Sequence, residues 1–395
     1  MLFPNRLPEH GQALLPRDAA IVDAAAARQV QTLLAACPRY RATPLHVLPA
    51  LAAELGIAGL QIKDEASRLG LGSFKALGGV HAVIRLVLEA AESALGRMPA
   101  AAELLAPAVR ALAGRMTFAC ASAGNHGRAV AAGARLTGAK AVVFVPQDTA
   151  EARVRHLRDL GAWVEFVAGT YDDAVAAAAR RCAEEGWILV SDTAWPGYER
   201  IPGLVMQGYT AIAEEIMQVS AEPPTHVFLQ AGVGGFAGAM AGYFAQRFGA
   251  SAPKIIVVEP ERAACFFASQ VAGEASRIRS GPPTVMAMLA CYEPSLVAWR
   301  ILARVADAFM TVADEHTLDA MRRLAASRAG DPVIVSAASG AAGFAGLCAV
   351  AADPVLRNRI GLGPHARVLA INTEGAVDLA AYGKFMLASL DLSEV

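Results

Sequence analysis

Short apolar runs rich in β-branched residues alternate with Ala-rich stretches of helical spacing along most of this chain. No other feature limits the fold as strongly. Residues 141–145 (AVVFV) read as a buried strand that Pro146 stops, and 149–160 follows with helical spacing. A strand at 163–167 and a helix at 171–184 repeat the pattern. Further strands are expected at 116–120, 226–229, 254–259 and 367–371, and helices at 236–244, 315–326 and 339–351. Strand, helix, strand, repeated, means parallel sheets covered by helices on both faces. The stretch 95–115, with Pro99 and Pro107, reads as one or two short helices inserted into this plan.

At 395 residues the chain is long enough for two or three domains. A net charge of −1 gives no excess of basic residues to attract nucleic acid or an anionic membrane. The first residues lack the apolar core of a secretion signal, and no run approaches the roughly 18 apolar residues of a membrane span. The six cysteines are scattered without metal-ligand spacing, which suits reduced thiols in a cytoplasmic protein. No pair of histidines has the i, i+4 spacing of a metal site. The low share of charged residues, 18%, suggests that part of the surface is covered in an oligomer, and a homodimer is expected.

Three stretches carry chemistry. The first runs from Lys63 to Gly79 and places Lys75 behind Gly72, Ser73 and Phe74, at the start of an Ala/Gly-rich helix. Burial there lowers an amine's pKa and makes it a usable nucleophile and base. The second is Ser122-Ala123-Gly124-Asn125-His126-Gly127, a tight turn between a strand and a helix, where backbone amides can face an anion. The third is Gln230-Ala231-Gly232-Val233-Gly234-Gly235, which lets the backbone approach a phosphate at a helix N-terminus. It matches neither the dinucleotide fingerprint nor a Walker loop. Taken singly, each has an ordinary explanation: a solvated lysine, a capping asparagine, tight packing.

Together, in this order and at these separations, they resemble the fold-type II family of pyridoxal-phosphate (PLP) enzymes. Thr43-Pro44-Leu45 also resembles that family's opening. Within it the chain is most similar to diaminopropionate ammonia-lyases. That similarity rests on 63–79, 191–198, Ile201-Pro202, 206–209, 286–291 and 372–375. The resemblance implies an α/β fold of the tryptophan synthase β type: two domains with parallel or mixed sheets and the cofactor between them. The large domain is expected to comprise 1–84 and 205–395, the small one 85–204.

The resemblance also implies roles. Lys75 carries pyridoxal 5'-phosphate and moves the α-proton. Phe74 lies against the cofactor ring, and Asn125 bonds its hydroxyl oxygen. Gly232, Val233, Gly234 and Gly235 hold the phosphate. Thr373 meets the ring nitrogen, with Ser339 as second choice. Ser122, Ala123 and Gly124 face the substrate, and Asp192 attracts its charged β-amine; the other reading of Asp192 is a turn cap before Thr193. The implied activity is elimination of ammonia from 2,3-diaminopropionate, giving pyruvate. A serine, threonine or hydroxyaspartate dehydratase is the alternative, and a PLP-binding protein without turnover is the reading from another class. Two positions depart from the ammonia-lyase pattern. Ala123 stands where it has Asp before Gly-Asn-His-Gly, and Ala338 where it has Glu before Ser-Gly. A methyl group at 123 cannot take a proton, so a preference for the L enantiomer is expected.

Overall fold

The computed structural model describes residues 1–387. The chain divides into two compact units: Met1–Asp23, Ala42–Ser67 and the chain from Ile212 onward in one, Ala24–Arg41 and Arg68–Ala211 in the other.

The first unit is built on a seven-stranded sheet. Its strands are, in order, Leu2–Pro4, Ala308–Val312, Lys254–Pro260, His226–Gln230, Arg367–Asn372, Gly59–Asp64 and Leu45–Val47. The inner five are parallel and the two edge strands antiparallel. The inner strands His226–Gln230 and Ala308–Val312 are buried at every residue. That explains why neither shows the alternation of a half-buried strand. The strand order reverses direction beside His226–Gln230. Lys254–Pro260 and Ala308–Val312 follow on one side, whereas Arg367–Asn372 lies on the other. Ligands of open α/β sheets bind at the carboxyl ends of the strands at such a reversal. Gln230, the glycine loop and Thr373 all stand there.

The second unit has a parallel four-stranded sheet, in the order Trp163–Val167, Lys140–Pro146, Thr117–Cys120, Ile188–Leu189. Here too the order reverses, beside Thr117–Cys120. The carboxyl ends of that strand and of Ile188–Leu189 lead into the Asn125 turn and the Asp192 segment. Helix Lys75–Leu95, closed by left-handed Gly96, packs along helix Asn125–Thr137. Helix Tyr171–Glu185 opens with a capping box between Thr170 and Asp173, which satisfies two amides of its first turn.

The expected strands and helices lie inside the observed elements or within two residues of their ends, as at Lys140–Pro146, Glu151–Asp159 and Ala338–Ala352. Gly235–Phe248 extends furthest, running four residues beyond the expected end. The 95–115 stretch holds the 3-10 turn Ala101–Glu103 and helix Pro107–Ala113. Among the described residues no single helix is long and apolar enough to cross a membrane. Nor does any group of three His, Cys, Asp or Glu there stand ready to hold a metal ion.

Candidate active site

In the second unit, Lys75 is the first residue of its helix and its amide bonds the Ser73 hydroxyl at 3.4 Å. Its Nζ donates to Asp192 Oδ2, and the two side chains keep 20% and 17% of their exposure. Burial alone would raise the Asp192 carboxyl. The charge and the hydrogen bond of the Lys75 ammonium, together with a backbone hydrogen bond, outweigh it and hold the carboxyl well below the usual carboxylate range. Asp192 is therefore an anion while the Lys75 ammonium faces it. The other lysine of the first motif, Lys63, belongs to the first unit and is buried. Its Nζ donates to Thr43 O at 2.6 Å and to Glu215 Oε2 at 2.7 Å.

The segment that carries Asp192 is braced from both sides. Tyr198 Oη donates to Leu189 O at 2.6 Å and accepts from the Ser191 amide at 3.1 Å. Its ring stacks on Trp195 with centroids 4.2 Å apart. His126 Nε2 lies 2.8 Å from Val190 O, which ties the two strand ends together. A carbonyl only accepts, so Nε2 carries the proton, and burial keeps the imidazole pKa low. A small pocket lined by Ala121, His126, Ser191, Asp192 and Trp195 opens beside these groups.

Ser122, Ala123 and Gly124 form the half-buried turn after Thr117–Cys120, held by a bond from the Gly124 amide to the Ser122 hydroxyl. A side chain at Gly127 would strike Ser122 O, so the turn closes only with glycine there. Asn125 is 8% exposed, and its Oδ1 accepts from Arg128 Nη2. A guanidinium only donates, so the amide nitrogen is the donor end of Asn125. Phe74 packs on Tyr209 with centroids 4.8 Å apart, and the Lys75 ammonium lies 5.9 Å from the Phe74 centroid. Among the described residues the buried Tyr209 hydroxyl has no hydrogen-bond partner.

In the first unit, Gly232 and Val233 follow strand His226–Gln230, Gly234 is left-handed with φ 86°, and Gly235 starts helix Gly235–Phe248. The Val233 carbonyl accepts from the Ser295 amide at 3.0 Å. A Cβ on Gly234 would strike the Phe266 ring, and one on Gly232 would stand 3.0 Å from Cys291 Sγ. Thr373 and Ser339 are buried at 2% and 4% exposure. Thr373 Oγ1 lies 3.0 Å from Gln230 Nε2, and Ser339 Oγ accepts from the Met288 amide at 3.1 Å. In the second unit, an amine held against a carboxylate suits an aldehyde; in the first, glycines leading into a 14-residue helix suit a phosphate.

The motifs contain Tyr198, Tyr209 and Gln230 but assign no role to their side chains, and Arg128 lies outside them. The contacts of Tyr198 fall on a two-residue strand, and those of Gln230 lie more than a hundred residues away. Spacing along the chain shows neither.

The family model described as "Pyridoxal-phosphate dependent enzyme" matches residues 37–374. The chain belongs to that family. Its cofactor is pyridoxal 5'-phosphate, and its fold is that of the fold-type II enzymes. It is 38% identical over 349 residues to the diaminopropionate ammonia-lyase of Escherichia coli K12, covering 87% of this chain and 86% of that one. It is also 38% identical to the diaminopropionate ammonia-lyase of Salmonella typhimurium, covering 86% of both chains. The crystal structure of the Escherichia coli enzyme in complex with D-serine superposes with a TM-score of 0.87 at 33% identity, over 98% of this chain and 97% of that one.

Proposed function

We propose that this chain is a diaminopropionate ammonia-lyase, which eliminates ammonia from 2,3-diaminopropionate to give pyruvate. With one water consumed, the products are pyruvate and two ammonia. The observation that carries the reading is the contact between Lys75 Nζ and the ionised Asp192. It brings a base for the α-proton together with an anion for a cationic leaving group. The similarity to ammonia-lyases over most of both chains supports the same reading.

When bound, PLP supplies an electron sink that stabilises negative charge at the substrate α-carbon. Lys75 Nζ carries the cofactor and then takes the α-proton. Asp192 holds the β-ammonium through its carboxylate. A β-ammonium departs as neutral ammonia, so Asp192 has to attract and orient it rather than supply a proton. Lys75 engaged elsewhere leaves this carboxylate without its cation, which favours a cationic group in its place. Ser122, Ala123 and Gly124 present backbone amides to the substrate carboxylate. Asn125 would donate from its amide nitrogen to the ring hydroxyl oxygen, and Phe74 would face the ring. Amides of Gly232, Val233, Gly234 and Gly235 receive the phosphate, and Thr373 meets the ring nitrogen.

Ala123 makes the enzyme L-selective. The reacting C–H bond would have to stand perpendicular to the cofactor plane, and for the L isomer it would face Lys75. A D isomer held by the same carboxylate needs a base on the opposite side, and a methyl group is none. Ala123 also favours a second reading, a serine or threonine dehydratase. Asp192 opposes it, because a hydroxyl leaving group carries no charge for a carboxylate to hold. Working as a cytoplasmic homodimer is part of the proposal, supported by the sparse charge and by exposed apolar side chains such as Val333 and Val335. The test is pyruvate release by the purified holoenzyme from both enantiomers of diaminopropionate, L-serine and L-threonine. Diaminopropionate should lead, and a higher kcat/KM for L-serine or L-threonine would overturn the assignment.

A further inference from the structure

The strands His226–Gln230 and Arg367–Asn372 run parallel where the order of the large sheet reverses, and Gln230 and Thr373 stand at their carboxyl ends. Gln230 is 2% exposed. Its Nε2 lies 2.9 Å from Gly340 O, 3.0 Å from Ile371 O, 3.4 Å from Ser339 O and 3.0 Å from Thr373 Oγ1. Three of these neighbours are carbonyl oxygens, which only accept. They settle which way the amide points, because the flipped group would set its own oxygen against all three. The cost of this orientation is visible: among the described residues the buried Gln230 Oε1 has no partner.

An amide nitrogen has no lone pair to offer. The Thr373 hydroxyl cannot donate to it and stands only as an acceptor on that side. Its own proton must point elsewhere. Thr373 is 2% exposed, and among the described residues no acceptor receives that proton. A buried hydroxyl proton without an acceptor is costly unless a ligand supplies one.

We infer that Gln230 is a positioning residue that forces Thr373 to present its hydroxyl as a donor, and thereby selects the cofactor ring nitrogen in its unprotonated, accepting form. This rests on the reading that Thr373 meets that nitrogen. The consequence is chemical. An unprotonated ring withdraws electrons less, so charge built at the α-carbon is passed on by expelling the β-substituent before it can be protonated elsewhere. Gln230 thus acts on the reaction through Thr373 without touching the substrate.

The test replaces the donor. In Gln230→Glu, the oxygen facing Thr373 carries a lone pair whether or not the carboxyl is ionised. The Thr373 proton then turns toward it and the hydroxyl offers its own lone pair to the ring. Gln230→Met keeps the length and removes the donor, and it carries the test if the carboxyl variant does not fold. The readout is the 15N chemical shift of holoenzyme loaded with cofactor labelled at the ring nitrogen, followed between pH 6 and 9. The unaltered protein should show the unprotonated shift throughout. Gln230→Glu should raise the protonated fraction at least tenfold at a given pH, and Gln230→Met should move it in the same direction by less. A ring-nitrogen shift unchanged in both variants, while Thr373→Val moves it, overturns the role of Gln230. A shift that Thr373→Val also leaves unmoved overturns the placement of Thr373 at the ring, and the inference with it.

Discussion

Lys75 donates to Asp192 across 117 residues of chain, and the same contact both orients the amine and keeps the carboxylate ionised. Removing either partner should therefore do different things.

Lys75→Ala removes the amine that carries the cofactor and takes the α-proton. The variant should remain folded, since the side chain keeps 20% of its exposure and the helix after it buries its apolar face without it. It should lack the absorbance band of lysine-bound cofactor and show no steady pyruvate release. Normal turnover would remove Lys75 from the mechanism.

Asp192→Asn keeps shape and removes charge. It should lower kcat/KM for diaminopropionate by about 10²-fold or more, the usual scale for a lost charged or acid–base group. Turnover within a few-fold of the parent would leave Asp192 as a turn cap. The same carboxyl makes a pH prediction for the apoprotein. Its pKa is depressed in the fold, so the unfolded chain binds the extra proton first. The stability it contributes is present above its unfolded value of about 4 and is lost as pH falls below that. Urea midpoints at pH 6 and pH 3.5 should therefore drop further in the parent than in Asp192→Asn. Equal drops would contradict the pairing.

Gly234→Ala tests the phosphate loop. The position is left-handed at φ 86°, and a methyl group would strike the Phe266 ring. The backbone term alone costs about 1–2 kcal/mol. The melting temperature of the apoprotein should fall and cofactor affinity should weaken, as read by fluorescence titration with PLP. Unchanged cofactor affinity in a folded variant would place the phosphate elsewhere.

Enantiomer preference tests Ala123. D-diaminopropionate should turn over more slowly than the L isomer by about 10²–10⁴-fold, the span expected for an absent general base. Ala123→Asp should raise D turnover. Comparable parental rates on both enantiomers would show that another group, with Asp192 the nearest candidate, serves the D isomer.

The parallel core was legible because buried strands such as 141–145 and 226–229 are continuous apolar runs bounded by breakers. The edge strands Leu2–Pro4 and Leu45–Val47 and the two-residue Ile188–Leu189 were not, because two or three residues carry no period. Fully buried Ala308–Val312 gives no alternation either and was missed. At the site, Lys75, Asn125 and the glycine loop announce themselves by local motif. Gln230 and Tyr198 do not, since what they do depends on carbonyls that the fold brings from other strands. The reversals of strand order, which gather the named residues at strand ends, arise only from the pairing of distant segments.

The most direct measurement is the ratio of ammonia to pyruvate released when the purified holoenzyme consumes L-2,3-diaminopropionate. Elimination of the β-amine followed by hydrolysis of the α-amine releases both nitrogens, so we expect two ammonia for each pyruvate. An enzyme that forms no pyruvate from diaminopropionate, but yields one ammonia for each pyruvate from L-serine, would contradict the assignment.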